Sequence, residues 1–225
     1  MITGEDLAVQ RVQGIFWPAR SRAVVIVYRG EERRIRRNAR RMFGRPLQTW
    51  EFAGLAGAPD DAQVELGSFG DALYIEMGEP AGFSYRASHF IRREGADLVL
   101  VNLGFHIHLR SMRQRGLGLR VFHRQLQNAK ALRIRRIEIT AGRRADENGY
   151  YTWPRFGFDG PLPRRIRRNL PLGLEHARSV LDLMDCEKGR LWWREHGVAI
   201  RASFEVGISS RSRSVFDRYV RNKFN

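Results

Sequence analysis

Apolar residues recur along this chain with two different periods. Residues 23–28, AVVIVY, are apolar at nearly every position and rich in valine, which predicts a short buried strand. From 31 to 43 the period becomes helical. Ile35, Ala39 and Met42 recur at helical spacing and form a core-facing stripe, and Glu31 and Glu32 open the segment where the positive end of the helix dipole favours them. Arg33, Arg34, Arg36, Arg37, Arg40 and Arg41 surround that stripe. They read either as a solvated helix face or as a phosphate-contacting surface.

From Gly70 the texture is that of strands. Segments 72–77, 83–91 and 96–108 alternate or run apolar, separated by the turn sequences Gly78-Glu79-Pro80 and Arg93-Glu94-Gly95, which predicts consecutive antiparallel strands. A helix follows Gly116 and Gly118, with Leu119, Phe122, Leu126 and Ala129 on one face and Arg120, Arg124, Gln127 and Lys130 on another. Segment 134–140 is again a strand, with Ile137 and Ile139 facing one side and Glu138 and Thr140 the other. A proline- and arginine-rich connector covers 161–171. Helical stretches are expected at 176–184 and 187–195, a strand at 199–208, and a last helix capped by Ser209 or Ser210. This order predicts an α+β (mixed α/β) class, with one mixed central sheet flanked by helices. Residues 1–160 form the expected core, and 161–225 add helix and strand that complete or cap it.

Composition narrows the picture. The 225 residues are 43% apolar, enough for one substantial core. No apolar run approaches the roughly 20 residues of a membrane span, and the first residues, which include Glu5 and Asp6, lack the apolar centre of a secretion signal. A single cysteine, Cys186, excludes an internal disulfide framework and suits a reducing cytoplasm, and its neighbours Asp185 and Glu187 disfavour a thiolate. The net charge of +16 is carried almost wholly by arginine, since Lys130, Lys188 and Lys223 are the only lysines. Such a field attracts nucleic acid, anionic membrane or acidic substrates, although arginine-rich coding also produces it.

The candidate chemistry is concentrated between His106 and Phe158. A strand runs into Arg110-Ser111-Met112-Arg113-Gln114-Arg115-Gly116-Leu117-Gly118, and a helix begins at once. Glycines at a helix entrance let backbone approach a ligand, and the unpaired first amides with flanking arginines make an anion site. His106 and His108 project from one strand face without a third ligand at metal-site spacing, so they read as cleft or half-buried histidines. Trp192 and Trp193 read as anchors of a short helix.

The string RQRGLG resembles the Arg/Gln-x-x-Gly-x-Gly/Ala motif of the GNAT superfamily of acyl-CoA-dependent N-acyltransferases, and NGYYTWPRFGF resembles its second signature, an Asn before a helix with a Tyr and a closing Gly-Phe pair. The two stand in the family's order, across about 50 residues. The resemblance implies a mixed sheet whose middle strands splay, so that acyl-CoA and an acceptor amine enter from opposite sides. It places pyrophosphate on the amides of Arg115, Gly116 and Gly118 beside Leu117, with Arg113 near. The strand around His108, Leu109 and Arg110 would pair with the pantetheine arm, and Asn148 joins the cofactor-side set. It also implies direct attack of a neutral amine on the thioester, with a backbone amide holding the oxyanion, a carboxylate taking the amine proton and a tyrosine protonating the thiolate.

The departures are local. Trp153 occupies the usual tyrosine position, Pro154 follows it, and the separation of Asn148 from Gly157 is short. Tyr150 and Tyr151 remain as acids, Tyr151 being preferred. Glu138 and Glu76 are the candidate bases, with Glu79 beside the latter. The expected activity is transfer of an acetyl group from acetyl-CoA, or another acyl group, to a primary amine on an anionic or RNA-linked acceptor, without a metal. The alternative is a GNAT-like module that has lost transfer and binds nucleic acid or ribonucleoprotein through its arginines.

Overall fold

A computed structural model describes residues 24–60, 62–80, 84–108, 116–144 and 147–224. The class is α+β: eight helices among the described residues and seven strands, in the order β1 to β7 in one mixed sheet. Contacts cluster into two compact units, one up to Ile137 and one from Glu138.

In the first unit, β1 (Val25–Tyr28) leads into α1 (Glu32–Phe43) and α2 (Thr49–Ala56), followed by β2 (Gln63–Phe69), β3 (Ala72–Gly78), β4 (Tyr85–Glu94) and β5 (Asp97–Ile107). β1 lies parallel to β2, and β2 to β5 form an antiparallel meander. Helix α3 (Leu117–Ala131) and the first half of β6 (Ile134–Ala141) follow. The expected strands and first helix are therefore present over nearly their predicted spans, Ala23 and Phe83 lying outside the described residues. Strand β2 and helix α2 were not anticipated. The helix is short and glycine-containing, and its first turn is closed by Glu51, whose carboxylate accepts the Gln48 amide at 2.8 Å.

Alternation in the meander gives the sheet two chemically different faces. Leu73, Ile75 and Met77 of β3 are buried on the face that also carries His89 and Ile91 of β4. Gln125 of α3 reaches this face, its Nε2 donating to Asn102 Oδ1 of β5 at 3.1 Å and to the Leu55 carbonyl of α2 at 2.8 Å. Helices α2 and α3 cross at Gly54 and Gly57. A Cβ on Gly54 would lie 2.2 Å from Asn128 Cγ, and Gly57 has φ +69° with the Val121 carbonyl oxygen 2.2 Å from where its Cβ would be. On α3, Arg124 of the polar face does not meet solvent. It is fully buried, with its guanidinium donating to the Ala58 carbonyl and 3.3 Å from Asp60. Tertiary demand for a donor under the α2–β2 connection overrides the helical pattern.

The second unit contains the rest of β6, α4 (Gly149–Arg155), α5 (Arg164–Arg168), α6 (Val180–Met184), α7 (Glu187–His196), β7 (Ile200–Glu205) and α8 (Arg211–Phe224). The helix expected from 176 begins only at Val180, and the strand expected over 199–208 is shorter. The connector after 161 carries α5, whose Ile166 is buried between exposed arginines. Ser210 caps α8, its hydroxyl accepting the Arg213 amide at 3.1 Å. Aromatic edges build the core: Phe158 meets Phe204, and Phe216 meets Phe156 and Phe204. Trp193 is fully buried, as an anchor should be. Among the described residues, no helix is long and apolar enough to cross a membrane.

Candidate functional site

Strand β5 runs toward α3 on the helix-bearing face of the first unit. Leu109, Arg110, Arg113 and Arg115 lie outside the described residues. Gly116 is the residue before α3, in left-handed conformation at φ +77°, where a side chain other than glycine, asparagine or aspartate is strained. Among the described residues, a Cβ on Gly116 would meet nothing within 4 Å. Among the described residues no side chain caps the helix, and the amides of Leu117, Gly118 and Leu119 stand in its first turn, where the helix itself supplies no acceptor. Donors open at the start of a 15-residue helix are the physical basis of anion binding. Gly118 has a packing role as well, since a Cβ there would lie 3.2 Å from Phe105 Cε1 of β5. The Leu117 side chain is buried, leaving only its amide to face a ligand.

One irregularity marks β5. Its register against β4 passes from Ser88↔Gly104 to His89↔Asn102, leaving Leu103 without a partner across β4. Such a bulge bends a strand and re-aims its side chains. Beyond it His106 and His108 stand exposed with their rings stacked, centroids 6.4 Å apart. The described residues contain no group of three His, Cys, Asp or Glu arranged to hold a metal.

Glu76 points to the sheet face opposite His89, away from α3. Its Oε1 accepts from Arg86, and its Oε2 accepts the Tyr74 hydroxyl at 2.7 Å. Burial raises the Glu76 pKa, but the bonds from Arg86 and Tyr74 outweigh it and hold the carboxyl below its ordinary value. The Tyr74 phenol is shifted the other way, by burial and by Glu76, and stays protonated. Beside this pair a cavity of about 220 Å³ is lined by Glu65, Glu76, Glu79, Arg29 and Arg86 among others. Glu79 accepts the Ser84 hydroxyl at 2.5 Å, and Arg29 pairs with Glu65.

Glu138, the first residue of the second unit, is half-buried on β6 and engaged with neighbours, and Ile139, on the other face of that strand, is buried. Asn148 is exposed before α4, its Oδ1 accepting the Thr152 hydroxyl at 3.1 Å. The two tyrosines differ. Tyr150 donates its hydroxyl to the Arg194 carbonyl at 2.7 Å, and its own carbonyl accepts Trp193 Nε1 at 2.8 Å. The Tyr151 hydroxyl makes no hydrogen bond among the described residues, and the Arg155 guanidinium lies 5.5 Å from its ring centroid. Trp153 sets its ring edge-on to Phe156 at 5.8 Å and Phe158 at 5.2 Å, so it anchors the Gly-Phe segment. Gly157 closes that segment at φ +94°, where the Ser212 carbonyl oxygen would be 2.2 Å from a Cβ.

The structure thus gathers Gly116, Leu117 and Gly118 at one helix start, and in the other unit places Asn148 just before the short helix that carries Tyr151. Glu76 sits apart from the glycine loop, across the sheet. Sequence reading missed Tyr74 and Arg86, because their pairing with Glu76 depends on cross-strand register. No family model matches the chain, and no curated protein matches it.

Proposed function

We propose that this protein is a GNAT-type N-acyltransferase, moving an acetyl group from acetyl-CoA to a primary amine on an anionic or RNA-linked acceptor. The observation that carries the reading is the start of α3, where a left-handed Gly116, with nothing within 4 Å of its Cβ position among the described residues, precedes three first-turn amides to which the helix itself offers no acceptor. Those amides are complementary to a pyrophosphate. The resemblance of the second motif is supported by the Tyr151 hydroxyl on α4, which makes no hydrogen bond among the described residues and is available to protonate a departing thiolate, whereas Tyr150 is committed to a carbonyl.

The chain's groups have defined tasks in this reading. The acceptor nitrogen must arrive neutral, and a carboxylate removes its proton as the new amide bond forms and the carbon–sulfur bond breaks. Glu138, half-buried on β6, is the first candidate for this base. Glu76, held ionised by Arg86 and Tyr74, is the weaker base of the two, and Glu79 stands beside it.

Calorimetry with acetyl-CoA tests the proposal. Micromolar binding by the wild type, absent in a folded Gly116→Trp variant and retained in Gly116→Asn, is the expected result, because asparagine tolerates the left-handed conformation. Absence of binding by the folded wild type overturns the enzyme reading.

A further inference from the structure

We infer that the open edge of β1 accepts an added strand from an acidic polypeptide segment, whose carboxylates meet Arg33 and Arg40 of α1. β1 is the first strand of the sheet, and among the described residues its only strand neighbour is β2. Val25 and Arg29 donate their amides to the Ala62 and Leu66 carbonyls on the β2 side. Backbone polar groups alternate in direction along a strand, so the amides and carbonyls of Ile26 and Tyr28 point the other way, to the open edge. The strand is also less covered than its all-apolar sequence leads one to expect. Val25 is 53% and Val27 37% exposed, on the sheet face of Gln63 and Glu65. An edge without charge, proline or bulge has none of the devices by which proteins block strand addition, apart from its length of four residues.

The second observation is the charge beside that edge. Arg36 of α1 donates to the Tyr28 hydroxyl at 2.7 Å, and its guanidinium lies 5.3 Å from the centre of that ring, so this flank of the helix is turned toward β1. Arg33 and Arg40 stand three residues before and four residues after Arg36, on the same flank. Arg36 is paired with Glu32. Arg33 and Arg40 are exposed, and neither has an ion-pair or hydrogen-bond partner among the described residues.

Together the edge and the arginines define the ligand. Alternating outward amides and carbonyls are answered by another extended backbone, which neither a nucleic acid nor a lipid surface supplies. Successive side chains of an added strand turn to opposite sheet faces. On the face of Ile26 and Tyr28 they come beside the arginine flank and are acidic, whereas on the face of Val25 and Val27 they are aliphatic. A second copy of this chain also offers a strand, but it brings a net charge of +16 against the same charge. Neither β1 nor α1 carries a residue of the acyltransferase reading, so the two proposals fail independently.

The test is fluorescence anisotropy of the full chain with a labelled, end-capped peptide of alternating glutamate and valine, about eight residues long so that it spans β1 with room on either side. N-methylating alternate peptide amides removes strand donors and keeps the charge, and should weaken binding at least about tenfold. Arg33→Gln with Arg40→Gln should weaken binding about fivefold, a difference that high salt erases. Arg164→Gln with Arg165→Gln, on α5, removes the same charge elsewhere and should leave binding unchanged. Ile26→Pro deletes an amide that β2 does not use, an exchange tolerated on an edge strand, and should abolish binding. Circular dichroism melts check that each variant is folded; if Ile26→Pro is not, the methylated peptide decides the question on the wild type alone. Equal binding of the methylated peptide, equal loss in the α5 variant, or sedimentation showing a dimer that Ile26→Pro dissolves overturns the inference. So does absence of binding by the wild type, the outcome if residues 1–23 hold the edge themselves.

Discussion

At the scale of single residues, two side chains make opposite demands on their surroundings. His89 is buried between β4, β5 and α2, with Nδ1 2.8 Å from Asn102 Oδ1, and desolvation pushes its pKa down to about 4 despite that bond. Its Nε2 makes no hydrogen bond among the described residues, and the Ala56 backbone opposes the shift without cancelling it. The folded state thus holds a neutral imidazole whose unfolded counterpart titrates near 6.5. Below 6.5 the unfolded chain binds the proton more readily, so this residue subtracts stability as pH falls from about 6.5 to about 4, by up to about 3 kcal/mol. Denaturant melts at pH 7 and pH 5 should show a loss that shrinks in His89→Gln; equal losses in both proteins would remove His89 as the cause. Tyr151 is the reverse case, its hydroxyl making no hydrogen bond among the described residues while Arg155 lies over its ring. In the acyltransferase reading Tyr151→Phe should lower kcat about 10²-fold or more with little change in KM, whereas Tyr150→Phe should chiefly reduce stability. Unchanged turnover in Tyr151→Phe would pass the acid role elsewhere.

At the scale of elements, the close contact of α2 and α3 is the feature most exposed to test. Asn128 fills the space left by Gly54 and donates to the Arg124 carbonyl at 2.9 Å, so it has little freedom to retreat. Gly54→Ala should destabilise the protein by about 1–3 kcal/mol through overpacking, even though alanine is the better helix former. Adding Asn128→Ala should recover part of that loss, and strictly additive effects in the double-mutant cycle would show that the two do not meet. In the second unit, Trp153 does for α4 what Gly54 does for α2. Its edge contacts with Phe156 and Phe158 explain why a bulky indole stands where the resemblance leads one to expect a phenol.

For the whole molecule, charge is the dominant quantity. Carboxylates answer part of it. Arg211 at the start of α8 bonds Asp182 at 2.8 Å and Asp185 at 2.7 Å, and Asp182, which also accepts the amides of Arg178 and Ser179, has its pKa lowered to about 2. Arginine still far exceeds carboxylate, and a net +16 repels itself. The thermal midpoint should therefore rise as ionic strength increases from about 0.01 to 0.15 M, over which the Debye length shortens from about 30 to 8 Å. A falling midpoint would mean that screened ion pairs such as those of Arg211 outweigh the repulsion.

The sequence by itself determined the α+β class, most strand and helix positions, the core stripe of α1 and the placement of Gly116 at a helix start. These follow from local periodicity and from the few residues that tolerate special backbone angles. Helix α2, the burial of Arg124 and Asn128, the clamp of Tyr74 and Arg86 on Glu76, and the difference between Tyr150 and Tyr151 were decided only by tertiary structure. Each depends on a partner distant in the chain, Asn128 for Gly54, Asp60 for Arg124, Arg86 for Glu76 and Arg194 for Tyr150. Local pattern records whether a residue is polar, whereas the fold decides which distant group comes within hydrogen-bond reach of it.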